Sequence, residues 1–376
     1  MSRAISVSAA MIVRNEARFL KQCLESLHQR VDEIIVVDTG STDATMEIAA
    51  QAGARVLQQA WTEDFAAARN TALEAASSDW ILSIDADERL SLPNGGVLGG
   101  YIDPDAIAAH VRFRPKTGYT RYRETRLFRR DPRIRFAGRI HETPAPAIRG
   151  IAASEGLTIQ FTRVEIDHFG YDGDQSKKHQ RNLPLLESSV IAHPERVYYW
   201  HHLAETLLAL GRKAEAEEAG EGGLAAADHD ASDKQSADAS MIIQLLARLR
   251  LERGENPLAL IDRGLARLDQ DHALWFLRGR ALLEAGEAQE ALQTALRLRN
   301  VDVEQLSDGL LAFDQRIFRD MACELAALAC LRLNRRDEAA DYFAQAAQMA
   351  PGVLAYRVKA AALTTPHKAE RGIAQR

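Results

Sequence analysis

Cysteine is scarce in this chain. Its 376 residues hold three, Cys23, Cys323 and Cys330. They are too few and too scattered for a disulfide framework, and are expected as reduced thiols packed in a core. No apolar run approaches the ~18 residues needed to span a bilayer. An excess of basic charge is also missing: 47 Lys and Arg against 53 Asp and Glu leave a formal net charge of −6. A nucleic-acid partner, with its usual basic footprint, is not expected. The first apolar stretch, Ile5 to Val13, contains serines and runs straight into Arg14-Asn15-Glu16. It does not read as a signal peptide, so a cytoplasmic protein is expected, with peripheral contact at the inner membrane face left open.

What is present is a globular composition, 46% hydrophobic and 27% charged, in two halves of different grammar. Over the first ~170 residues, short β-rich runs alternate with helical patterns, which predicts an α/β domain. Strands are expected at Ile5–Val13, Glu33–Val37, Ala54–Leu57 and Trp80–Ile84. Helices are expected at Ala17–His28, Ala44–Ala52 and Phe65–Ala76. From about Gln175, Ala/Leu-rich helical patterns take over. Ala204, Ala247, Gly279 and Ala327 each precede an alanine (Ala216, Ala259, Ala291, Ala339) by twelve positions. A turn lies between the members of each pair, at Gly211-Arg212, Gly254-Glu255, Gly286-Glu287 and Asn334-Arg335. Such spacing predicts helical hairpins in a repeat array, although an ordinary helical bundle would also carry Ala-rich hairpins. Asp228–Ala239 reads as a loop. The expected organisation is a domain over 1–175, a helical domain over 176–363 and a flexible tail over 364–376.

In open α/β sheets, ligands bind beyond the carboxyl ends of the strands, so polar residues there come first. The strand at Trp80–Ile84 delivers Asp85-Ala86-Asp87-Glu88 to its solvent end, with Asp85 and Asp87 on one side of the chain. Two such carboxylates suit a hard dication that also takes phosphate oxygens. Alone, the triplet would fit a surface loop equally well. Asp64 is a plausible N-cap for the helix carrying Arg69, whose forked guanidinium reaches a base or a diphosphate. Asp38, at another strand end before Thr39-Gly40-Ser41-Thr42-Asp43, is a natural acceptor for a nucleoside. Ser41 or Thr42 would cap the following helix. Arg14 and Glu16 occupy the equivalent place after the first strand.

Together, Met11–Glu16, Val36–Asp43, Asp64-Phe65 with Ala68-Arg69-Asn70, and Asp79–Leu82 with Asp85–Glu88 resemble the family 2 glycosyltransferases of GT-A fold. Arg126–Arg129, Phe136–Glu142, Ile166–Tyr171 and then Lys178 and Arg181-Asn182 resemble a bacterial subgroup whose catalytic domain precedes tetratricopeptide-like repeats. The resemblance implies a Rossmann-like mixed sheet followed by an all-α repeat domain. It implies a metal-dependent, inverting transferase using a nucleotide-sugar donor, with UDP as the default base. Asp38 would bind the nucleoside, Arg69 the base or diphosphate, and Asp85 ribose and metal. Asp87 would ligate Mn²⁺ or Mg²⁺, and His168 would complete the metal shell or pack structurally against Phe169 and Tyr171. The general base would be Glu142, with His141 as the rival or the residue that orients it.

The acceptor is expected to be a protein or peptide, such as a surface or flagellar protein, bound through the repeats. A lipopolysaccharide-core or other envelope saccharide is the alternative. A repeat scaffold with a decayed catalytic domain is the reading of a different class. Three other enzyme classes fit poorly. An actin-like kinase would show a second phosphate loop. A haloacid-dehalogenase phosphatase would have Thr or Val in place of Glu88. A Rossmann dehydrogenase would carry G-x-G-x-x-G where Arg14-Asn15-Glu16 stands.

Overall fold

The computed structural model describes residues 4–170, 175–228 and 233–364. Tyr171 and the tail after Thr364 lie outside the described residues. Contacts divide the chain into two compact units, Met1–Pro194 with Leu306–Ala312, and Glu195–Gln305 with Phe313–Arg376.

The first unit is built on an eight-stranded mixed sheet of order β3-β2-β1-β4-β7-β6-β8-β5. Its parallel part comprises β1 (Val7–Val13), β2 (Glu33–Asp38), β3 (Arg55–Gln58) and β4 (Trp80–Ser83), connected by α1 (Ala17–Leu27), α2 (Thr45–Gln51) and α3 (Phe65–Ala75). Helices on both faces leave β1 no solvent side, and its alternation therefore sorts residues between two cores. Val7, Ala9, Met11 and Val13 pack with Leu20, Cys23, Leu24 and Leu27 of α1. Ala10 packs on the other face with Ile35, Val37, and Ala66 and Ala72 of α3. Asp64 caps α3 by accepting from the Ala67 N–H at 2.9 Å. Neither Ser41 nor Thr42 caps α2: the helix starts later, and Asp43 takes the Thr45 N–H at 3.0 Å. The three cysteines are buried and free.

The other half of the sheet was not anticipated strand by strand. It contains β5 (Glu88–Ser91), β6 (Ala106–Arg114), β7 (Tyr122–Arg129) and β8 (Thr158–His168), with α4 (Ala145–Glu155) and α5 (Ser176–Ala192). β7 joins the parallel part by pairing antiparallel with β4. β5 pairs antiparallel with β8, with Glu88 opposite His168. Leu306–Ala312 also belongs to this unit. Asp308 accepts from Arg112 at 2.9 and 3.1 Å and pairs with Arg123 at 2.9 Å. Gly309 accepts the Arg123 N–H at 2.9 Å.

The second unit is entirely helical: α6 (Val197–Ala209), α7 (Lys213–Ala227), α8 (Asp233–Glu252), α9 (Leu258–Arg267), α10 (His272–Glu284), α11 (Ala288–Arg299), α12 (Asp320–Arg332), α13 (Arg336–Met349) and α14 (Leu354–Thr364). The hairpins α6–α7, α8–α9, α10–α11 and α12–α13 are the tetratricopeptide-like pairs, and each turns on a residue of positive φ. These are Gly211 (78°), Gly254 (73°), Gly286 (86°) and Asn334 (59°). Gly279 is required by close approach, because a Cβ there would lie 2.5 Å from the Leu325 side chain. Two expectations need correction. Ala259 is exposed, because Asn256-Pro257 delays the start of α9 and Pro257 and Leu260 take the buried positions. Asp233–Ala239 is helical, as the start of α8, where Asp, Ser and Ala had read as loop. Residues 229–232 of that predicted loop lie outside the described residues.

Candidate active site

The carboxyl ends of β1, β2 and β4 lie side by side because these strands pair in parallel, Val13 opposite Asp38 and Ala10 opposite Ser83. Arg14-Asn15-Glu16, Asp38 and Asp85-Ala86-Asp87 are therefore brought to one edge of the sheet. The loops there are stapled. Asn15, at φ 58°, accepts the Thr42 N–H at 2.7 Å and donates its own N–H to Ser41 Oγ at 2.9 Å. Asp38 is 2% exposed, and its carboxylate accepts from the N–H groups of Gly40 and Ser41, both at 3.0 Å. It is a turn-former as well as a strand-end acid.

Arg69 is the hub. Its Nη2 donates to Asp85 Oδ1 at 2.8 Å and its Nε to Glu142 Oε1. Nη1 is buried without a hydrogen-bond partner. Burial opposes ionisation of Asp85, but Arg69 and Arg126 outweigh it and hold the carboxyl at about 2. The neighbouring Asn70 fixes the loop that carries Glu142. Its amide accepts from the Phe136 N–H at 2.9 Å and donates to the Phe136 carbonyl at 3.0 Å. Ala137 and Thr143 close that loop by pairing across it. Within it, His141 adopts φ 50°, in the left-handed region that costs a non-glycine residue free energy.

Asp87 forms a second centre. Its Oδ2 lies 2.9 Å from His168 Nε2, a contact created by β5–β8 pairing across 81 positions of sequence. His168 Nδ1 donates to the Pro115 carbonyl at 3.0 Å, which directs Nε2 towards Asp87. Burial depresses the imidazole's pKa, but the bond to Asp87 reverses this and raises it. Adjacent ligands of an octahedral ion with ~2.1 Å bonds sit ~3.0 Å apart, so the Asp87–His168 pair has the spacing of two neighbouring ligands. Gly170 completes a cradle, since a Cβ there would fall 1.8 Å from Asp87 Oδ2. A carboxylate with an imidazole suits Mn²⁺ better than Mg²⁺. Among the described residues, Asp85 does not join them in a group of three donor atoms within 4.8 Å of one another; its Oδ1 accepts from Arg69 instead.

Glu16 faces both centres. Burial, then Asp87, Asp85 and Asp43, push its carboxyl up to about 7, with Lys178 of α5 opposing. Arg14 is exposed and lies near enough to Arg181 to lower that residue's pKa, behind the larger effect of burial.

Reading the residues missed Glu88 and Arg126 as parts of this site. Glu88 is 1% exposed. It accepts from the Asp85 N–H at 2.8 Å and from Arg126 Nη2 at 2.8 Å, so it fixes the backbone of the acidic turn. Burial pushes its carboxyl up to about 7 against the pull of Arg126. The signal available was a charged residue standing two and four positions before Leu90 and Leu92, in register with their buried face.

The glycosyl transferase family 2 model matches residues 8–148. Those residues are a family 2 glycosyltransferase domain. The chain is 41% identical over 214 residues to a TPR repeat-containing protein of Synechococcus elongatus, covering 54% of this chain and 53% of that protein. It is 28% identical over 223 residues to the SPbeta prophage-derived glycosyltransferase SunS of Bacillus subtilis, covering 56% and 51%. It is 44% identical over 85 residues to an uncharacterized glycosyltransferase of Rickettsia felis, covering 23% and 30%. The chain thus spans about half the length, or less, of these curated relatives. Among the described residues of this GT-A chain, no helix is long and apolar enough to cross a membrane.

Proposed function

We propose that the chain is an inverting, metal-dependent glycosyltransferase that moves a sugar from a nucleotide diphosphate, with UDP the default, to a protein or peptide held by the helical repeats. The observation that carries this reading is the fork of Arg69 between Asp85 and Glu142. It links the side of the site where a diphosphate leaves to the side where an acceptor is deprotonated. The buried, unpartnered Nη1 of Arg69 is a donor suited to a phosphate oxygen.

In this reading Glu142 takes the proton of the acceptor hydroxyl as its oxygen displaces the nucleoside diphosphate from the anomeric carbon. His141 orients Glu142 or the acceptor, and is the rival base. Asp38 and Arg14 flank the nucleoside side. Asp87 and His168 would hold Mn²⁺ or Mg²⁺, which supplies charge neutralisation to the leaving diphosphate, with Asp85 beside them. Arg69 occupies Glu142 Oε1, and a donor diphosphate that draws off Arg69 would leave that oxygen open to the acceptor hydroxyl. Nothing in this arrangement reads the hydroxyl pattern of the sugar, and hexose and N-acetylhexosamine donors are both candidates. The stacked hairpins support a protein acceptor, since such arrays offer extended surfaces for peptides. The reaction belongs in the cytoplasm, where the donor is made.

The test incubates the full chain with a panel of UDP-sugars, Mn²⁺ and cellular protein, and reads UDP release together with mass additions on polypeptides. Sugar-dependent UDP release that Asp87→Ala and Glu142→Gln abolish is expected. Release unaffected by Asp87→Ala would overturn the metal assignment. Additions confined to a saccharide fraction would overturn the protein acceptor in favour of an envelope glycan. Absence of release from every donor would leave the non-catalytic scaffold.

A further inference from the structure

The first helix of the second unit, α6, carries His201, His202 and Glu205 on one turn, and the proposed sugar transfer uses none of them. His201 Nε2 lies 3.5 Å from Glu205 Oε1, and His202 Nδ1 lies 3.2 Å from Glu205 Oε2. All three donor atoms fall within 4.8 Å of one another. We propose that these side chains form a binding site for a transition-metal dication of the zinc class, separate from the Asp87–His168 pair.

The distances carry the first part of the argument. Bonds of ~2.0–2.1 Å in a tetrahedral site separate neighbouring ligand atoms by ~3.3 Å. The His202 Nδ1–Oε2 separation of 3.2 Å falls close to that edge length, and His201 Nε2 stands 3.5 Å from the other carboxylate oxygen. Helical geometry holds them there, because positions three and four apart share a face and Glu205 is three from His202 and four from His201.

The state of His201 supplies the second part. Its side chain is 7% exposed, yet Nδ1 is buried without a hydrogen-bond partner. Nε2 is therefore the ring nitrogen engaged with a polar partner, and it is directed at the Glu205 carboxylate. An ordinary helical His–Glu ion pair needs one imidazole and is found on the surface; here two converge, one of them in the core. Glu205, with 44% of its side chain exposed, leaves a route from solvent for the ion and a water ligand. Asp238 of α8 adds negative potential at His201, which Arg248 of the same helix opposes.

Donor chemistry separates the two centres. Two imidazoles and one carboxylate suit Zn²⁺, Co²⁺ or Ni²⁺, whereas Mg²⁺ prefers oxygen throughout. Binding to α6 would fasten one turn of the helix that opens the second unit.

Isothermal titration of zinc into the full-length Asp87→Ala protein, which lacks the Asp87–His168 pair, tests the site. One equivalent should bind, and adding His202→Ala with Glu205→Gln should weaken it by at least ~10-fold. Both substituted residues are the more exposed members and both replacements favour helix, so circular dichroism should be unchanged. Cobalt in place of zinc should give a visible d–d absorption that the same two substitutions remove. The site is overturned if the parent binds no zinc, or if its affinity survives both substitutions. This outcome is independent of UDP release, so it stands or falls apart from the catalytic reading.

Discussion

Asn70 grips the backbone of Phe136 with both ends of its amide, accepting at 2.9 Å and donating at 3.0 Å. The grip sets where the loop leading to Glu142 begins, and the residue before it, Arg69, holds the Glu142 end. Asn70→Ala should therefore displace the proposed base without touching substrate. Turnover should fall ~10- to 100-fold, as small misplacements do, with ~1–3 kcal/mol lost in stability from the unpaired Phe136 groups. Steady-state UDP release and thermal unfolding measure both. Wild-type turnover in a destabilised variant would mean that loop placement does not govern the reaction.

Arg69→Lys keeps the charge and loses the fork. An ammonium cannot reproduce the planar two-sided geometry that spans Asp85 and Glu142. A loss of ~100-fold or more in kcat/KM is expected, and a lysine variant within ~3-fold of wild type would contradict the bridging role.

Chelation of divalent ions should abolish transfer, and Mn²⁺ should restore it at lower concentration than Mg²⁺. Gly170→Ala drives a methyl group into Asp87 Oδ2. The Mn²⁺ concentration for half-maximal rate should rise by ~10-fold or more, while turnover at saturating metal should fall less. Equal metal dependence in the two proteins would remove the Asp87 cradle from consideration.

Glu16 gives a pH signature. Its carboxyl sits at about 7 in the fold against an ordinary 4.5, so the folded state binds the extra proton between those values. Stability from this group is therefore full below pH 4.5 and declines as pH rises through about 7. Glu16→Gln should flatten that decline. Unfolding temperatures of the metal-free protein from pH 4.5 to 7.5 measure it; parallel curves for wild type and variant would show that Glu16 carries no such strain.

Arg126→Met would strand Glu88, 1% exposed, without its cation. A cost of ~3–5 kcal/mol is expected, part of it recovered by adding Glu88→Gln. Denaturant unfolding of the two variants reads the difference, and a near-neutral single substitution would mean that Glu88 is protonated in the fold.

Much of the fold was legible because its signals are local. The continuous apolar runs of β1, β2 and β4 and the turn residues Gly211, Gly254, Gly286 and Asn334 announce themselves over a few residues. β7 and β8 did not, because they mix charge with apolar residues: Tyr122–Arg129 is YRETRLFR and Thr158–His168 is TIQFTRVEIDH. Those charges pair between strands and across the β6–β7 loop, Arg114 and Arg121 both with Asp167. That arrangement cannot be seen in one strand alone. The site follows the same division. Strand-end acids can be located from their own neighbourhood, but the Asp87–His168 and Arg69–Glu142 pairs join residues 81 and 73 positions apart, and only β5–β8 pairing for the first and the Asn70–Phe136 grip for the second bring them together.

Leu306–Ala312 bears on how the molecule is made. The segment clasping Arg112 and Arg123 leaves the ribosome long after the rest of the catalytic unit. At ~5–20 residues per second, synthesis of the intervening stretch takes on the order of 10 s. For that interval the nascent GT-A sheet holds two arginines awaiting Asp308 and a backbone donor awaiting Gly309. The N-terminal unit is thus not finished when its own contiguous sequence is finished, and a chain stopped near residue 194 would be a different folding problem from the whole.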